Sequence, residues 1–275
     1  MATPRLHLSA LYRYPLKSCA GEALEQAQVH QEGIDGDRRL MLARPDGRFI
    51  TARTHPRLEL MQVQLDEETV VLRFPGHPDL ELVRADFSLA PFATEVWGDR
   101  FEALATSEVA DAWCSAVVGE AAHLLCIGER SPRYRESIQQ RVGFADGYPL
   151  LLIGEGSLAD LNAKLAHAQG ASDGKPHIMA QFRPNLVVAG SDAFAEDGWQ
   201  RLRIGEVELG VAEPCARCAM ITVDPATGTF LPGKEPLKTL ATYRRGGKGK
   251  VLFGQNLVVL KEGQLTLGDD VEILA

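Results

Sequence analysis

Residues 214–228 of this chain read PCARCAMITVDPATG. Cys215 and Cys218 precede an apolar, partly β-branched run at 219–223, and a turn pattern follows at 224–228, so the stretch predicts a strand over 218–223 with a thiol at its start. A thiolate is a soft metal ligand and a strong nucleophile, and we expect the adjacent Arg217 to favour the ionised form. One cysteine of this segment is therefore interpreted as chemical rather than structural.

The cysteine spacing leaves several kinds of site to compare. Structural zinc needs about four ligands, and Cys19, Cys114 and Cys126 stand alone without a partner pair. A thioredoxin-like C-x-x-C opens a helix after a strand, whereas Cys218 leads into a strand-like run. Both kinds of site are disfavoured. A pair of buried structural thiols remains an alternative to a reactive or metal-binding cysteine.

Length, composition and charge limit the remaining classes of protein. The 275 residues exceed the usual single core of about 100–200 residues, so we expect two domains. A formal net charge of −8 argues against general binding to nucleic acid or anionic membranes. The chain shows neither a signal-peptide pattern nor about 18 consecutive apolar residues, and its five cysteines suggest no disulfide framework. These features predict a cytoplasmic protein.

Short strand patterns dominate the chain. In the first half they lie at 6–14, 39–43, 48–51 and 69–74, with a hairpin turn at 45–47. Later strands are predicted at 149–153, 185–189, 201–204, 207–211, 250–253, 257–261 and 270–274, and loops at 128–141 and 169–180. Helical patterns cover 106–118, 157–167 and 236–243, with Thr106 or Ser107 capping the first and Ser157 the second. Many short strands with few helices predict β-barrels rather than a doubly wound sheet.

Residues 154–159, GEGSLA, match the G-x-G-x-x-A pattern of dinucleotide-binding turns. The match is weak, because the following helix leads into a polar loop near 172–174 instead of a second strand with an acidic ribose ligand. A capped helix after a buried strand is the favoured interpretation. An anionic group at the helix N-terminus remains an alternative.

Basic residues occupy several short segments, most of which contain Pro or Gly. They lie in YPLKS at 14–18, GDRR at 36–39, TAR at 51–53, FRPN at 182–185, and at Arg217. Taken singly, each is interpreted as a solvated surface charge. If they converged on the thiol, they would form a pocket for a phosphorylated or otherwise anionic ligand, because guanidinium groups bind oxyanions bidentately.

The same segments carry a family resemblance. Together with FADGYPLLLI at 144–153, FRPNLVV at 182–188, PCARCAMITVDPATG at 214–228 and KEPLKTL at 234–240, their order resembles the MOSC-domain proteins with an N-terminal MOSC β-barrel domain, among them the amidoxime-reducing components and their bacterial relatives. The resemblance covers nearly the whole chain. It implies a mostly β fold with some helix (α+β), with an N-terminal MOSC β-barrel-like domain at 1–122 and a MOSC β-barrel domain at 123–275.

The resemblance further implies a molybdenum cofactor (Mo-molybdopterin), with Cys218 as metal ligand and catalytic residue. Cofactor contacts are implied at Lys17, Ser18, Arg38, Asp146, Tyr148, Arg183, Asn185, Ala216, Arg217 and Cys218. Cys215 matches a family cysteine that is not the ligand. Tyr148 and Ala216 stand where the family has serines, and Asn256 stands where it has a tyrosine. Contacts at Tyr148 and Asn256 are therefore expected to be backbone-mediated or absent, and Ala216 could serve only through its backbone N–H.

The activity implied by the resemblance is reduction of N-hydroxylated compounds such as amidoximes, hydroxylamines and N-hydroxylated bases. No cysteine follows Cys218, so we expect electrons from a separate ferredoxin- or flavin-type protein rather than from an iron–sulfur cluster of this chain. Two alternatives remain: a molybdenum-cofactor or sulfur carrier without its own turnover, and a plain β-barrel binding domain with an empty pocket. Neither nucleic acid nor a membrane is an expected partner.

Overall fold

The computed structural model describes residues 5–167 and 176–274. Its strands in the first half are β1 (His7–Arg13), β2 (Glu22–Ala23), β3 (Gln26–His30), β4 (Gly33–Ile34), β5 (Leu40–Ala43), β6 (Gln62–Leu65), β7 (Thr69–Arg73), β8 (Leu80–Val83), β9 (Pro91–Val96), β10 (Asp99–Ala105) and β11 (His123–Cys126). The strands that follow are β12 (Tyr134–Arg135), β13 (Gln140–Arg141), β14 (Leu150–Gly154), β15 (Leu186–Ala189), β16 (Arg201–Ile204), β17 (Val207–Arg217), β18 (Val223–Asp224), β19 (Thr229–Phe230), β20 (Val251–Lys261), β21 (Gly263–Thr266) and β22 (Val271–Ile273). The α-helices are α1 (Glu108–Val118), α2 (Glu155–His167) and α3 (Leu237–Tyr243).

The largest sheet has eight strands in the order β2-β1-β15-β14-β20-β17-β16-β22. Neighbours are antiparallel except β14 and β15, which run parallel and are joined through α2, as a parallel pair requires a crossover. Strand β20 lies between β14 and β17, so it connects the two halves of the sheet. Apolar side chains such as Leu152, Leu186, Leu209 and Leu257 form one buried cluster against this sheet.

Two smaller sheets, β5-β11-β10-β9 and β6-β7-β8, build the region between residues 40 and 126. Their core includes Leu42, Met61 and Leu72, all nearly fully buried. Helix α1 covers this core. It begins after Ser107, whose side chain accepts a hydrogen bond from the Ala110 amide, and ends at Gly119 with φ of 80°. This conformation favours glycine at a helix C-terminus.

The first strands of the chain pair with its last third. Strand β1 aligns His7 with Ala189 of β15, and β3 aligns Val29 with Gly263 of β21. In the other direction, β11 pairs with β5. Hydrogen-bonded pairing therefore crosses position 122/123 both ways, and the division into 1–122 and 123–275 stays a prediction.

The mostly β fold with some helix is confirmed, including helix α1 with Ser107 as its N-cap. The strand predicted at 218–223 is wrong: residues 219–222 form a 3₁₀ turn, and of that range only Val223 belongs to a strand, as the first residue of β18. The β-branched run supplies Ile221 to a buried cluster from that turn, so tertiary packing overrides its strand propensity. Strand β17 instead extends to Arg217, and the strands predicted at 250–253 and 257–261 are one continuous strand, β20.

Three further predictions need correction. Helix α2 begins at Glu155, so Ser157 lies inside the helix and is not its N-cap. Its hydroxyl donates to Glu196 instead. Residues 48–51 form no strand, although Phe49 bridges Ala43 across the predicted turn. The loop at 128–141 contains the short strands β12 and β13. Of the loop predicted at 169–180, residues 169–175 lie outside the described residues, and residues 179–180 begin a 3₁₀ turn.

Candidate functional site

One cavity brings together segments that lie far apart in the sequence. Its empty volume, which includes space open to solvent, is about 820 Å³. All ten residues for which the resemblance implied cofactor contacts line it: Lys17, Ser18, Arg38, Asp146, Tyr148, Arg183, Asn185, Ala216, Arg217 and Cys218. The convergence is a structural fact. The role of each residue in binding stays a prediction.

Positive charge exceeds negative charge along the cavity wall. The cations are Lys17, Arg38, Arg53, Arg183 and Arg217, and the one carboxylate in the lining is Asp146. Because burying like charges together is unfavourable without counter-charge, such a wall favours an anionic ligand. The net charge of the chain is negative, so this wall differs from the rest of the molecule.

Tyr14 organises two of these arginines. Its buried ring lies 4.4 Å from the guanidinium carbon of Arg38 and 4.3 Å from that of Arg183, and its hydroxyl donates to the Pro184 carbonyl at 3.1 Å. A Cβ at position 21 would lie 2.3 Å from the same ring, so Gly21 permits its approach. Burial raises the pKa of Tyr14, which therefore stays neutral between the two cations.

Hydrogen bonds fix the direction of the Arg38 side chain. Its guanidinium donates to Asp37 at 2.6 Å and to the side-chain oxygen of Asn185 at 3.0 Å. The Asn185 amide in turn donates to Asp37 and to the Tyr12 carbonyl. Both polar atoms of Asn185 are thus engaged by the protein, and this residue orients Arg38 at the cavity wall.

Arg183 is held in the interior of the protein. It donates to the Cys19 carbonyl at 2.5 Å and to Glu59 at 3.1 Å. Burial raises the pKa of Glu59, and the charge of Arg183 opposes that rise. Ser18, Arg38 and Arg183 have positive φ of 68°, 47° and 56°. Non-glycine residues adopt this conformation infrequently, and it recurs at functional sites where the surroundings enforce it.

A second network reaches the thiol of Cys218. Lys17 forms an ion pair with Asp146, and Arg53 donates to the other Asp146 oxygen at 2.9 Å. The Nε–H of Arg53 donates to Cys218 Sγ at 3.4 Å. Burial lowers the pKa of Lys17 to about 8, although Asp146 opposes this shift. Burial also opposes ionisation of Asp146, but Lys17 and Arg53 together hold its pKa well below the usual range.

Arg53 is the main site residue that the sequence did not place beside the thiol. Its guanidinium lies 4.6 Å from the ring centroid of Trp97, within cation–π distance. Trp97 has φ of 53° in the turn between β9 and β10, so a strained hairpin supports this arginine. The TAR segment marked Arg53 as a candidate cation, but local sequence carried no sign of its contact with Cys218.

The two cysteines have different surroundings. Arg217 donates to Cys215 Sγ at 3.1 Å and to the Phe182 carbonyl at 2.6 Å. Arg217 thus contacts Cys215 rather than Cys218, and the expectation that it favours an ionised thiol stays a prediction. Alternate residues of a strand share a face, so positions 215 and 217 of β17 point together, whereas Cys218 lies past the strand end and meets Arg53.

The positions that depart from the family pattern also line the cavity. Tyr148, Ala216 and Asn256 all belong to its wall. Burial raises the pKa of Tyr148 to about 12, and a hydrogen bond with Glu213 adds to this shift. The Tyr148 hydroxyl is thus neutral. Ala216 has only its backbone to offer a ligand.

The glycine motif at 154–159 has an internal explanation. Glu196 is fully buried, and its Oε1 accepts hydrogen bonds from the Gly154 amide at 3.0 Å and the Ser157 hydroxyl at 2.7 Å. A Cβ on Gly154 would lie 3.0 Å from this carboxylate. The anion at the N-terminus of α2 is therefore a side chain of the protein itself, and the glycine permits its approach.

Comparison with known proteins gives two domain matches. Residues 5–121 match the MOSC N-terminal beta barrel domain, and residues 139–272 match the MOSC domain. The chain is 33% identical to mitochondrial amidoxime-reducing component 1 of Homo sapiens, over 97% of this chain and 82% of that protein. It is 32% identical to mitochondrial amidoxime reducing component 2 of Bos taurus, over 96% and 82%.

A third relative differs in length. Molybdenum cofactor sulfurase of Oryza sativa subsp. japonica is 33% identical over 92% of this chain, which covers 32% of that protein. The chain belongs to the family of MOSC-domain proteins with an N-terminal MOSC β-barrel domain, which includes the amidoxime-reducing components.

Location in the cell stays a prediction. Within residues 5–167 and 176–274, no helix has both the length and the apolar character needed to cross a membrane. Two of the relatives above carry "mitochondrial" in their names. These names describe the relatives, and the cytoplasmic location of this chain stays an expectation.

Proposed function

We propose that this chain is a molybdenum-cofactor-dependent reductase of N-hydroxylated compounds that receives electrons from a separate protein. The observation that carries the proposal is the convergence of five cations and the Cys218 thiol on one cavity. The cations suit a phosphorylated pterin, and the thiol suits a soft metal. Relatives named amidoxime-reducing components, similar over nearly the whole chain, support the reaction class.

The residues present fit such a cofactor. The buried Arg217 Nε has no hydrogen-bond partner in the protein, so it can donate to a ligand acceptor. In the described part of the chain, no group of three or more His, Cys, Asp and Glu could hold a metal ion. A metal beside Cys218 would therefore need its other ligands from the cofactor, as a pterin dithiolene supplies them.

In this proposal the residues of the chain bind and orient the cofactor. Arg38 and Arg183, fixed on either side of Tyr14, would bind the anionic end of the cofactor. Cys218 would ligate the metal, and the Arg53 Nε–H would keep its hydrogen bond to the ligating sulfur. When bound, the cofactor would supply two-electron chemistry, in which an N–OH group takes up two electrons and two protons to give N–H and water.

The test combines metal analysis with a turnover assay. Purified protein is expected to contain molybdenum and to reduce benzamidoxime with a reduced viologen dye as electron source. With NADH or NADPH alone it is expected to be inactive, and addition of a ferredoxin- or flavin-type reductase pair is expected to restore pyridine-nucleotide-dependent turnover. Molybdenum-loaded protein that leaves benzamidoxime unchanged with reduced viologen would refute the proposed activity.

A second candidate is a molybdenum-cofactor or sulfur carrier without its own turnover. It is favoured by the similarity to the molybdenum cofactor sulfurase, which includes 92% of this chain. The same assay separates the two functions. A carrier would retain the cofactor and pass it to a cofactor-free acceptor protein, yet show no reduction of N-hydroxylated compounds.

A further inference from the structure

The segment at 229–256 has a charge opposite to that of the whole chain. It contains six cations, Lys234, Lys238, Arg244, Arg245, Lys248 and Lys250, and one carboxylate, Glu235. Glu235 is 2% exposed and accepts a hydrogen bond from the Thr239 amide, so its charge faces inward. The chain as a whole has a formal net charge of −8. This segment is therefore a basic region on an acidic protein.

The basic region adjoins the wall of the candidate site. Residues 244–252 form a hairpin closed by hydrogen bonds between Leu252 and Arg244 and between Gly246 and Lys250. The hairpin continues into β20, where Val251 lies opposite Arg217 of the cavity wall. Lys250 therefore immediately precedes Val251, the strand partner of Arg217 in the cavity wall.

Helix α3 lies behind the same wall. Its Leu240 belongs to one buried cluster with Ile221, which follows Cys218 in the 3₁₀ turn, and with Phe182 of the cavity lining. Lys238 of α3 is exposed, whereas Leu240 of the same helix is fully buried. The helix and the hairpin that carry these cations therefore adjoin the elements that position Cys218: the helix shares a buried cluster with the turn after Cys218, and the hairpin leads into the strand that pairs with Arg217.

Five of the six cations are exposed: Lys234, Lys238, Arg245, Lys248 and Lys250. We refer to these five as the basic face. The sixth, Arg244, is half-buried and pairs with Asp197. Among the residues that the structure describes, no carboxylate lies within ion-pair distance of the basic face, whereas exposed arginines elsewhere, such as Arg48 and Arg201, have one. The charge of the basic face is therefore available to a partner.

We propose that the basic face docks an acidic electron-transfer protein that reduces the site. This inference rests on the proposed function, because only a reductase needs a donor at this wall. An acidic partner is repelled by most of an acidic surface and attracted by one basic region, so the electrostatic field selects both the encounter and its orientation. The selected orientation brings the redox centre of the partner to the side of the molecule that carries Cys218.

The electron balance defines the donor. A carrier such as a [2Fe–2S] ferredoxin gives up one electron in each encounter. Two encounters therefore supply the two electrons that reduction of one N–OH group consumes. The two protons come from solvent. Repeated short encounters require fast association and fast release, which exposed charges provide better than a large apolar interface.

The test reverses charge on the basic face. The double variant Lys248→Glu/Lys250→Glu is compared with Lys261→Glu, an exposed lysine at the opposite end of the same strand, about 33 Å from Val251 at the usual strand rise. The probe is an acidic [2Fe–2S] ferredoxin kept reduced by its NADPH reductase, and benzamidoxime is the substrate. Each variant is also assayed with reduced viologen, which needs no docking surface.

We expect the double variant to need about tenfold more ferredoxin for half-maximal turnover, while its viologen-driven rate stays unchanged. Lys261→Glu is expected to behave as the unchanged protein in both assays. Added salt should weaken ferredoxin-driven turnover of the unchanged protein, and this dependence should be smaller in the double variant. Equal ferredoxin requirements in the double variant and the Lys261→Glu control would overturn the proposal, as would an unchanged protein that ferredoxin cannot reduce.

Calorimetric titration with ferredoxin separates this proposal from the proposed function, because binding needs no turnover. If viologen-driven reduction fails, the proposed function fails, and the titration alone decides whether the basic face binds the acidic protein. Binding to vesicles containing phosphatidylserine, lost in the double variant while ferredoxin does not bind, would reassign the basic face to a membrane and overturn the proposal.

Discussion

Two positions in this molecule attract negative charge. At one of them a side chain of the protein supplies that charge, and at the other we expect a ligand to supply it. At the N-terminus of α2, the buried carboxylate of Glu196 occupies the amide of Gly154 and the hydroxyl of Ser157. In the cavity around Cys218, five cations line the wall, and three carboxylates, Asp146, Asp37 and Glu59, pair with four of them. The anion position at the helix terminus is filled by the protein itself, although Glu196 Oε2 is buried without a hydrogen-bond partner, whereas the cavity has more cations than carboxylates.

The difference teaches how to separate a structural anion position from a ligand site. Glycine spacing and a helix N-terminus are present at α2, yet the protein itself fills that position. The cavity has no glycine motif, but its cations come from five separate segments, and Arg217 keeps an unpaired buried donor. Unbalanced charge with an unsatisfied donor is thus the better guide to a ligand than a glycine pattern.

The largest expected effect concerns the thiol of the cavity. Cys218→Ala should abolish reduction of benzamidoxime and lower the molybdenum content. The fold should survive, because removal of one small side chain at the cavity wall leaves little new empty space. Cys215→Ala is the matched control, since its sulfur contacts Arg217 instead, and it should keep much of the activity. Wild-type turnover by Cys218→Ala, measured beside its circular dichroism spectrum, would remove this residue from the site.

The next effect concerns the cations. Arg183→Ala removes a charge-assisted contact to an anionic ligand, which should weaken cofactor binding by about 1.5–3 kcal/mol, roughly tenfold to a hundredfold. The variant should purify with substoichiometric molybdenum, measured by mass spectrometry against protein concentration. Alanine variants of Lys17 and Arg38 should show the same defect. Full occupancy in all three would show that these cations do not share a ligand.

The helix terminus offers the reverse experiment. Glu196→Ala leaves the Gly154 amide and Ser157 hydroxyl without their acceptor, so it should lower the free energy of unfolding by about 1–3 kcal/mol. Inorganic phosphate should restore more stability to this variant than to the unchanged protein. The control is Glu155→Ala, an exposed carboxylate at the same helix start. Denaturation curves with and without phosphate decide the matter, and equal loss in the two variants would contradict the role of Glu196.

The smallest effect is a pH dependence that exposes the unbalanced charge. The folded state lowers the pKa of Lys17 from 10.5 to about 8, mainly by burial. Between these values the unfolded chain holds a proton that the folded chain has lost, so raising the pH from 8 favours folding. The stability of the unchanged protein relative to Lys17→Met should rise by about 1–2 kcal/mol between pH 8 and pH 10. A difference that stays flat, or falls, would show that Lys17 keeps its proton.

Part of this site could be predicted from the sequence. Its motifs occur in the same order as in one family, and the resemblance to that family implies which segments meet at the site. The segments that contain Lys17, Arg38, Arg183 and Cys218 were all identified in this way, and the structure brings them to one cavity. Arg53 was identified only as a candidate cation. Its contact with Cys218 depends on Trp97 in a distant hairpin, which no local pattern reports.

The errors have a common physical origin. A β-branched apolar run has the same composition in a strand as in a buried 3₁₀ turn, so residues 218–223 were assigned to the wrong element. Glu196 lies 42 positions beyond Gly154, and a pairing at that separation leaves no trace in local sequence. Barrel-type organisation could be predicted from the number of short strands, whereas the pairing of β1 with β15 could not.

The pairing of β1 with β15, and of β3 with β21, also bears on the order of events during synthesis. The first strand leaves the ribosome long before residues 186–189 exist, and Val29 must await Gly263. Such distant partners raise contact order and slow folding. Lys17 and Arg38 follow these early strands, so their wall of the cavity forms only when the last third of the chain arrives. The cavity wall that contains Lys17 and Arg38 therefore depends on pairing between the two ends of the chain.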